Sequence, residues 1–161
     1  MKTLYILRHG KSSWEQPEEN DFNRPLLPKG QRRTQRISVH IKEHNLPVDL
    51  IISSPAVRAF ETAKIVAQEI DCELITDENL YPGFSSDIWE VIFSQPDEID
   101  SLMIVGHNPG VTSMIHDLID SSFDWLPTSG LGIISFNTNT WIQTPIADRI
   151  STKILTPKML K

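Results

Sequence analysis

The chain has 161 residues, 39% of them hydrophobic, and its 21 acidic side chains outnumber 15 basic ones for a formal net charge of −6. That length suits a single domain over 1–161 with one core, and the acidic balance argues against a nucleic-acid partner bound through the whole surface. No apolar run approaches the roughly 18 residues of a spanning helix, and no cleavage-like segment follows MKTLYILRHG, so a cytoplasmic protein with no membrane partner is expected.

The first strand signal is Thr3–Leu7, which runs directly into Arg8-His9-Gly10. A loop then carries Trp14, the acidic group Glu15, Glu18 and Glu19, and the segment Asp21-x-x-Arg24-Pro25-Leu26. Gly30 to Glu43 reads as a helix, with Ile37 and Ile41 four apart, a charged opposite face, and a stop near Asn45 and Pro47. Asp49–Ser53 is the second strand. Ser54 is a natural N-cap and Pro55 a natural first residue for a helix to Glu69 carrying Val57, Phe60, Ala63, Val66 and Ala67 at helical period. Cys72, the one cysteine, rules out a disulfide framework and reads as a small buried hydrophobe ahead of a strand at Glu73–Ile75. A helix at Ile88–Phe93, a strand at Ser101–Val105 and a helix at Val111–Ile119 follow. Gly132–Phe136 and Trp141–Thr144 read as strands of a hairpin turned at Asn137-Thr138-Asn139, while Lys153, Lys158 and Lys161 read as a solvated tail.

Short continuous apolar runs at the first, second and fourth strands are the pattern of strands buried on both faces. Alternation with helices gives an α/β fold, a three-layer α/β/α sandwich whose mostly parallel sheet has an antiparallel edge. Such sheets bind ligands outside the carboxyl ends of their parallel strands.

Three of those ends carry chemistry. Arg8-His9-Gly10 follows the first strand, Arg58 falls in the opening turn of the helix after the second, and Gly106-His107-Asn108-Pro109-Gly110 follows the fourth. Two arginines on one rim repel unless an anion lies between them, and guanidinium forks match the oxygens of phosphate in pairs. Gly10 leaves room for a backbone N–H to approach such an anion. A neutral imidazole with its other nitrogen fixed is a competent nucleophile toward phosphorus, a role His9 fits, with His107 donating to an equatorial oxygen.

Leu-Arg-His-Gly at 7–10, Ser-Ser-Pro-x-x-Arg-x-x-x-Thr-Ala at 53–63 and Val-Gly-His-Asn-Pro-Gly at 105–110 together resemble the histidine phosphatase superfamily, formerly grouped with the phosphoglycerate mutases. The resemblance implies a phosphoenzyme on His9, with Arg8, Arg58 and His107 forming the phosphate pocket. The chain's length and the Asp21–Leu26 segment are similar to the small SixA-type phosphohistidine phosphatases, where Arg24 would be a further basic group at the pocket. Alternatively, Arg24 is a solvent-facing loop residue.

Two features bear on the substrate. Only the stretch 81–101 separates Leu80 from Leu102, room for one helix and no lid. An open pocket suits a phosphorylated side chain on a protein better than a small molecule that must be enclosed. Many family members place a glutamate in the region matching residues 78–83, where Glu78 or, by another register, Asn79 would stand; Asp21 is the other carboxylate within reach as proton donor. Phosphohistidine expels an imidazole and suffers least from a missing acid. The expected substrate is therefore phosphohistidine in a protein partner, with a small phosphate monoester as the alternative and a mutase reaction as a third reading.

No cofactor is expected, and no metal, because no carboxylate cluster accompanies the basic groups. His40 and His44 have a zinc-like spacing but no third ligand, so a solvated helix face is the reading. His116 reads as structural, and Trp14, Trp89, Trp125 and Trp141 as core or rim packing, with Trp14 alone near enough to line the mouth of the site.

Overall fold

In the computed structural model, which describes residues 1–14, 20–120 and 124–160, strand β1 (Lys2–Arg8) lies inside a sheet. Its partners are β2 (Leu50–Ser53), β3 (Leu74–Thr76), β4 (Ser101–Gly106), β5 (Leu131–Phe136) and β6 (Arg149–Leu155), in the order β3-β2-β4-β1-β5-β6. β3, β2, β4 and β1 are mutually parallel; β5 pairs antiparallel with β1, and β6 antiparallel with β5. The strands β1, β2 and β4 are buried almost throughout, as their unbroken apolar runs require.

Alternate residues of each strand face opposite sides, and each side has its own helices. Leu4, Ile6, Ile52 and Ile104 pack with residues of α3 (Ser85–Phe93) and α4 (Gly110–Leu118). Tyr5, Leu7, Ile51 and Met103 pack with residues of α1 (Pro28–Glu43) and α2 (Val57–Ile70). The result is the expected three-layer α/β/α sandwich. Among the described residues no helix is long and apolar enough to cross a membrane.

The sheet edge corrects the sequence reading. Trp141–Thr144 is not a strand, and 137–139 is not a hairpin turn. A 3₁₀ turn (Trp141–Gln143) drives the indole into the core, where it is fully buried. Its Nε1–H donates to the Ile99 carbonyl at 2.9 Å, and the Trp141 N–H to Asp97 Oδ1 at 3.0 Å. The edge is instead β6, largely exposed and carrying Arg149 and Lys153; charge there blunts an open edge against pairing with other chains. Lys153 thus belongs to the sheet, and Lys158 to a 3₁₀ turn (Pro157–Met159), not to a tail. Lys161, like Glu15, Glu18 and Glu19, lies outside the described residues.

Helix α1 begins at Pro28, a residue whose missing N–H costs nothing in a first turn. It passes so close to the loop after β1 that a Cβ on Gly30 would collide with the Lys11 backbone. The loop is further tied by a bridge between Ser12 and Leu26. Helix and loop therefore act as one surface behind the first strand end.

Candidate active site

Register brings the three loops together. Arg8 lies opposite Gly106 across the parallel β1–β4 pair, and Ser53 opposite Val105 across β2–β4. The chain therefore leaves three adjacent strands at one level. His9 N–H donates to the Gly106 carbonyl at 3.1 Å, and Ser54 N–H to that of Val105 at 3.0 Å.

A cavity of about 400 Å³ opens at that level, lined by Arg8, His9, Arg24, Arg58 and His107 among others. Lys11 and Arg33 add positive charge, and among the described residues no carboxylate is part of the lining. Trp14 and Trp125, both exposed, also line it, so Trp14 is not alone at the mouth as expected. Another cleft of about 430 Å³ runs between α1 and α2, lined by Glu61 together with Arg32 and Lys64, and no histidine is among its described lining.

His9 is 7% exposed, and its Nδ1 lies 2.7 Å from the Gly10 carbonyl. A carbonyl only accepts, so Nδ1 carries the proton and Nε2 is unprotonated. Arg58 Nε–H points at that Nε2 from 3.4 Å. The two imidazoles stand 5.2 Å apart between ring centroids. His107 Nε2 pairs with Ser54 Oγ at 2.7 Å, while its Nδ1 is buried without a partner among the described residues, as is Arg8 Nε. Arg8 is anchored by Nη1–H donating to the Leu126 carbonyl at 3.0 Å, which also accepts from Asn108 Nδ2.

Several expectations change at this level of detail. Ser54 does not cap a helix starting at Pro55: α2 starts at Val57, and the serine hydroxyl is committed to Ala56 N–H and to His107. Arg58 stays in the first turn all the same. Gly10 does not offer its N–H to the cavity, because Thr62 Oγ1 accepts it at 2.9 Å. Its lack of a side chain serves packing: a Cβ would sit 3.0 Å from Thr34 Oγ1 and 3.1 Å from the Gly30 carbonyl. Arg24 is buried and not solvent-facing; its guanidinium lies 3.6 Å from the Trp14 ring centroid and donates to Ser12 Oγ at 2.8 Å.

Asp21 is the residue whose place the sequence left least clear. Its carboxylate accepts from Arg24 Nε at 3.0 Å, Arg58 Nη2 at 3.1 Å and the Tyr81 hydroxyl at 2.8 Å, so it gathers the two arginines at the cavity's edge. Glu78 is exposed on a 3₁₀ turn (Glu78–Leu80) and does not line the cavity, nor does Asn79. His40 and His44 stack on each other at the surface of α1, and no group of three or more metal-ligating side chains occurs among the described residues. His116 is exposed on α4, and Cys72 is half-buried with its thiol pushed up to about 11, first by burial and then by Asp49.

Burial sets the protonation of the site. It drives His9 down to about 3, helped by His107, Arg58 and Arg8 and resisted by the Gly10 carbonyl. His107 is likewise pushed to about 3, by burial and then Arg58. Burial raises Asp21, but the Tyr81 hydroxyl, Arg58 and Arg24 more than offset it and hold it below the usual carboxylate range. Unfolded, both imidazoles take a proton below about pH 6.5; folded, only below about 3. Between those values the unfolded chain binds more protons, so stability is whole above 6.5 and falls as pH drops, by about 1.4 kcal/mol per unit per histidine at most. The midpoint of urea unfolding should be clearly lower at pH 5 than at pH 7, with a shallower slope in His107→Gln. A midpoint flat over that range would show that the imidazoles are not held neutral.

Residues 4–81 match the family described as Histidine phosphatase superfamily (branch 1). The crystal structure of a candidate phosphohistidine phosphatase SixA from Agrobacterium tumefaciens superposes with a TM-score of 0.79 at 26% identity, over 94% of this chain and 97% of that one. The protein histidine phosphatase SixA complexed with tungstate shares the fold at a TM-score of 0.81 and 18% identity, over 99% of both chains. In sequence, an uncharacterized chloroplastic protein of Arabidopsis thaliana is 27% identical over 87% of this chain and 69% of its own. The Escherichia coli protein named probable phosphoglycerate mutase GpmB is 34% identical over 82 residues, half of this chain and 37% of that protein's length.

Lys11, Ser12, Arg33, Asn108 and Thr128 line the cavity without having been singled out from sequence as site residues, and Trp125 was read only as core or rim packing. Asn108 sits inside a motif and Lys11 beside one, so both were within reach. Arg33 comes from the middle of a helix with several arginines, and nothing in its periodicity marks it.

Proposed function

We propose that the chain is a metal-independent phosphatase that transfers a phosphoryl group to His9 Nε2, with phosphohistidine in a protein as its substrate. The superfamily and the SixA-like fold support a phosphatase. The observation that carries the step is the His9 Nδ1–H held by the Gly10 carbonyl, which leaves Nε2 unprotonated toward a cavity lined with cations.

Nε2 attacks phosphorus as the P–N bond to the substrate's imidazole breaks, and the departing imidazole takes up a proton from water at the cavity's open mouth. Arg8, Arg24 and Arg58 balance the charge on the equatorial oxygens, and His107 donates to one of them. Arg8 Nε and His107 Nδ1, buried and otherwise unpaired, are donors that such an anion would satisfy. Water then attacks phospho-His9, releasing inorganic phosphate and restoring the free imidazole. The cytoplasm suits such a substrate.

Preference for phosphohistidine is supported by the absence of a carboxyl group from the cavity's lining among the described residues and by its open mouth between Trp14 and Trp125. An alkoxide leaving group demands an acid that the described lining of this cavity does not supply; imidazole demands far less. The second reading is a small-molecule monoester phosphatase, while the GpmB likeness over half of the chain is to a protein named as a mutase.

The test is a comparison of kcat/KM for a phosphohistidine protein with a panel of phosphate monoesters, in the presence of a chelator. Phosphohistidine should lead by at least tenfold, chelation should change nothing, and vanadate should inhibit as a mimic of the transferring group. A faster monoester would favour the second reading, and activity restored only by Mg²⁺ would remove metal independence.

A further inference from the structure

Arg33 and Thr128 line two cavities at once: the phosphate site and a second, of about 390 Å³, that adjoins it. The second cavity is walled by Arg36 from α1 and by Lys158 from the turn after β6. Arg33 and Arg36 are three apart on α1 and so project from one face. Neither of these, nor Lys158 or Lys11, has an ion pair among the described residues, in a chain where acids outnumber bases 21 to 15. Among the described residues no carboxylate lines either cavity. Like charges gathered at a surface repel one another, so an acidic chain that keeps a run of unpaired cations leading away from its phosphate site has a use for an anion there.

We propose that this second cavity is a subsite for the acidic side chains of a polypeptide that flank the phosphorylated residue. The inference rests on the phosphatase reading and adds to it what the substrate carries beside the phosphoryl group. Arg36 and Lys158 are exposed, so the subsite opens at the surface and does not enclose its ligand. An extended peptide advances about 3.3 Å per residue, so glutamates or aspartates a few positions from the phosphorylated one reach the subsite while the phosphoryl group sits at His9. Recognition of this kind acts through charge, and it is weakened by salt.

Two peptides carrying the same non-hydrolysable phosphohistidine analogue, one flanked by glutamates and one by glutamines, test the subsite by titration calorimetry. The wild-type chain should bind the glutamate peptide roughly tenfold more tightly at 50 mM salt, the scale of two exposed charge pairs, and the ratio should shrink at 300 mM. In Arg36→Glu/Lys158→Glu the ratio should fall to one or reverse, and in the milder Arg36→Gln/Lys158→Gln to about one. Equal affinities in the wild type, or a preference that survives both variants, would overturn the proposal. So would tripolyphosphate binding that depends on Arg36 and Lys158 while the glutamate peptide's does not, because the occupant would then be a small anion. Turnover of a phosphohistidine protein is measured alongside. A glutamate preference without turnover would leave the subsite standing and remove the phosphatase reading instead.

Discussion

His9→Ala is expected to yield no phosphoenzyme and to lose about 10⁵-fold or more in turnover, the scale on which removal of a covalent nucleophile acts. Brief incubation of the wild-type chain with labelled substrate should trap a phosphoramidate, labile in acid and stable in base. The one other imidazole in the cavity, His107, is an unpromising substitute. Its ring lies 5.2 Å from that of His9, and its Nε2 is committed to Ser54 Oγ at 2.7 Å. His9 by contrast has Nδ1–H fixed by Gly10, and burial keeps Nε2 unprotonated down to about pH 3, so no fraction of the nucleophile is lost at neutral pH. Label retained by a folded His9→Ala variant would assign the nucleophile elsewhere. Folding can be checked by circular dichroism, since the substitution also empties a buried position.

The strand ends were legible because burial on both faces leaves an unbroken apolar run, and β1, β2 and β4 all show one. Once those strands are parallel neighbours, motifs at their carboxyl ends must meet, and His9, Arg58 and His107 do. What sequence missed has physical causes. β6 carries its information in its partner: RISTKIL is an exposed edge held by backbone bonds to β5, with few apolar residues to announce it. Trp141 was read as a strand residue because an aromatic beside isoleucine fits one, yet the polar atoms of Ile99 and Asp97 fix it in a turn. Gly10 and Ser54 were assigned by local rules, to ligand contact and to capping, and long-range partners claimed both: Thr62 and His107. The bonds of Asp21 with Arg58 and Tyr81 cross separations of 37 and 60 residues, which no motif spacing encodes.

The Asp21–Arg58 pair carries the second large effect. Arg58→Ala should lower kcat/KM on a phosphohistidine protein by about 10²–10³, the loss that follows removal of one preorganised donor to developing charge. Arg58 is 5% exposed and held from two sides, with Nη1 donating to the Asp21 carbonyl at 2.8 Å and Nη2 to its carboxylate at 3.1 Å, so its orientation is set before substrate arrives. Asp21 has a different part. Three donors favour its ionised form, and an ionised carboxylate has no proton to give a leaving group. Asp21→Asn keeps an acceptor for Arg58 and should cost less than about tenfold on phosphohistidine, mostly in KM, where loss of a general acid costs about 10²–10⁴ and falls on kcat. Glu78→Gln, exposed and outside the cavity, should cost less still. The three variants are compared on a phosphohistidine protein and on an aliphatic monoester. A thousandfold fall in kcat for Asp21→Asn or Glu78→Gln on phosphohistidine would mean that the leaving imidazole needs a dedicated acid. The preference for phosphohistidine, which rests on that acid being dispensable, would fall with it.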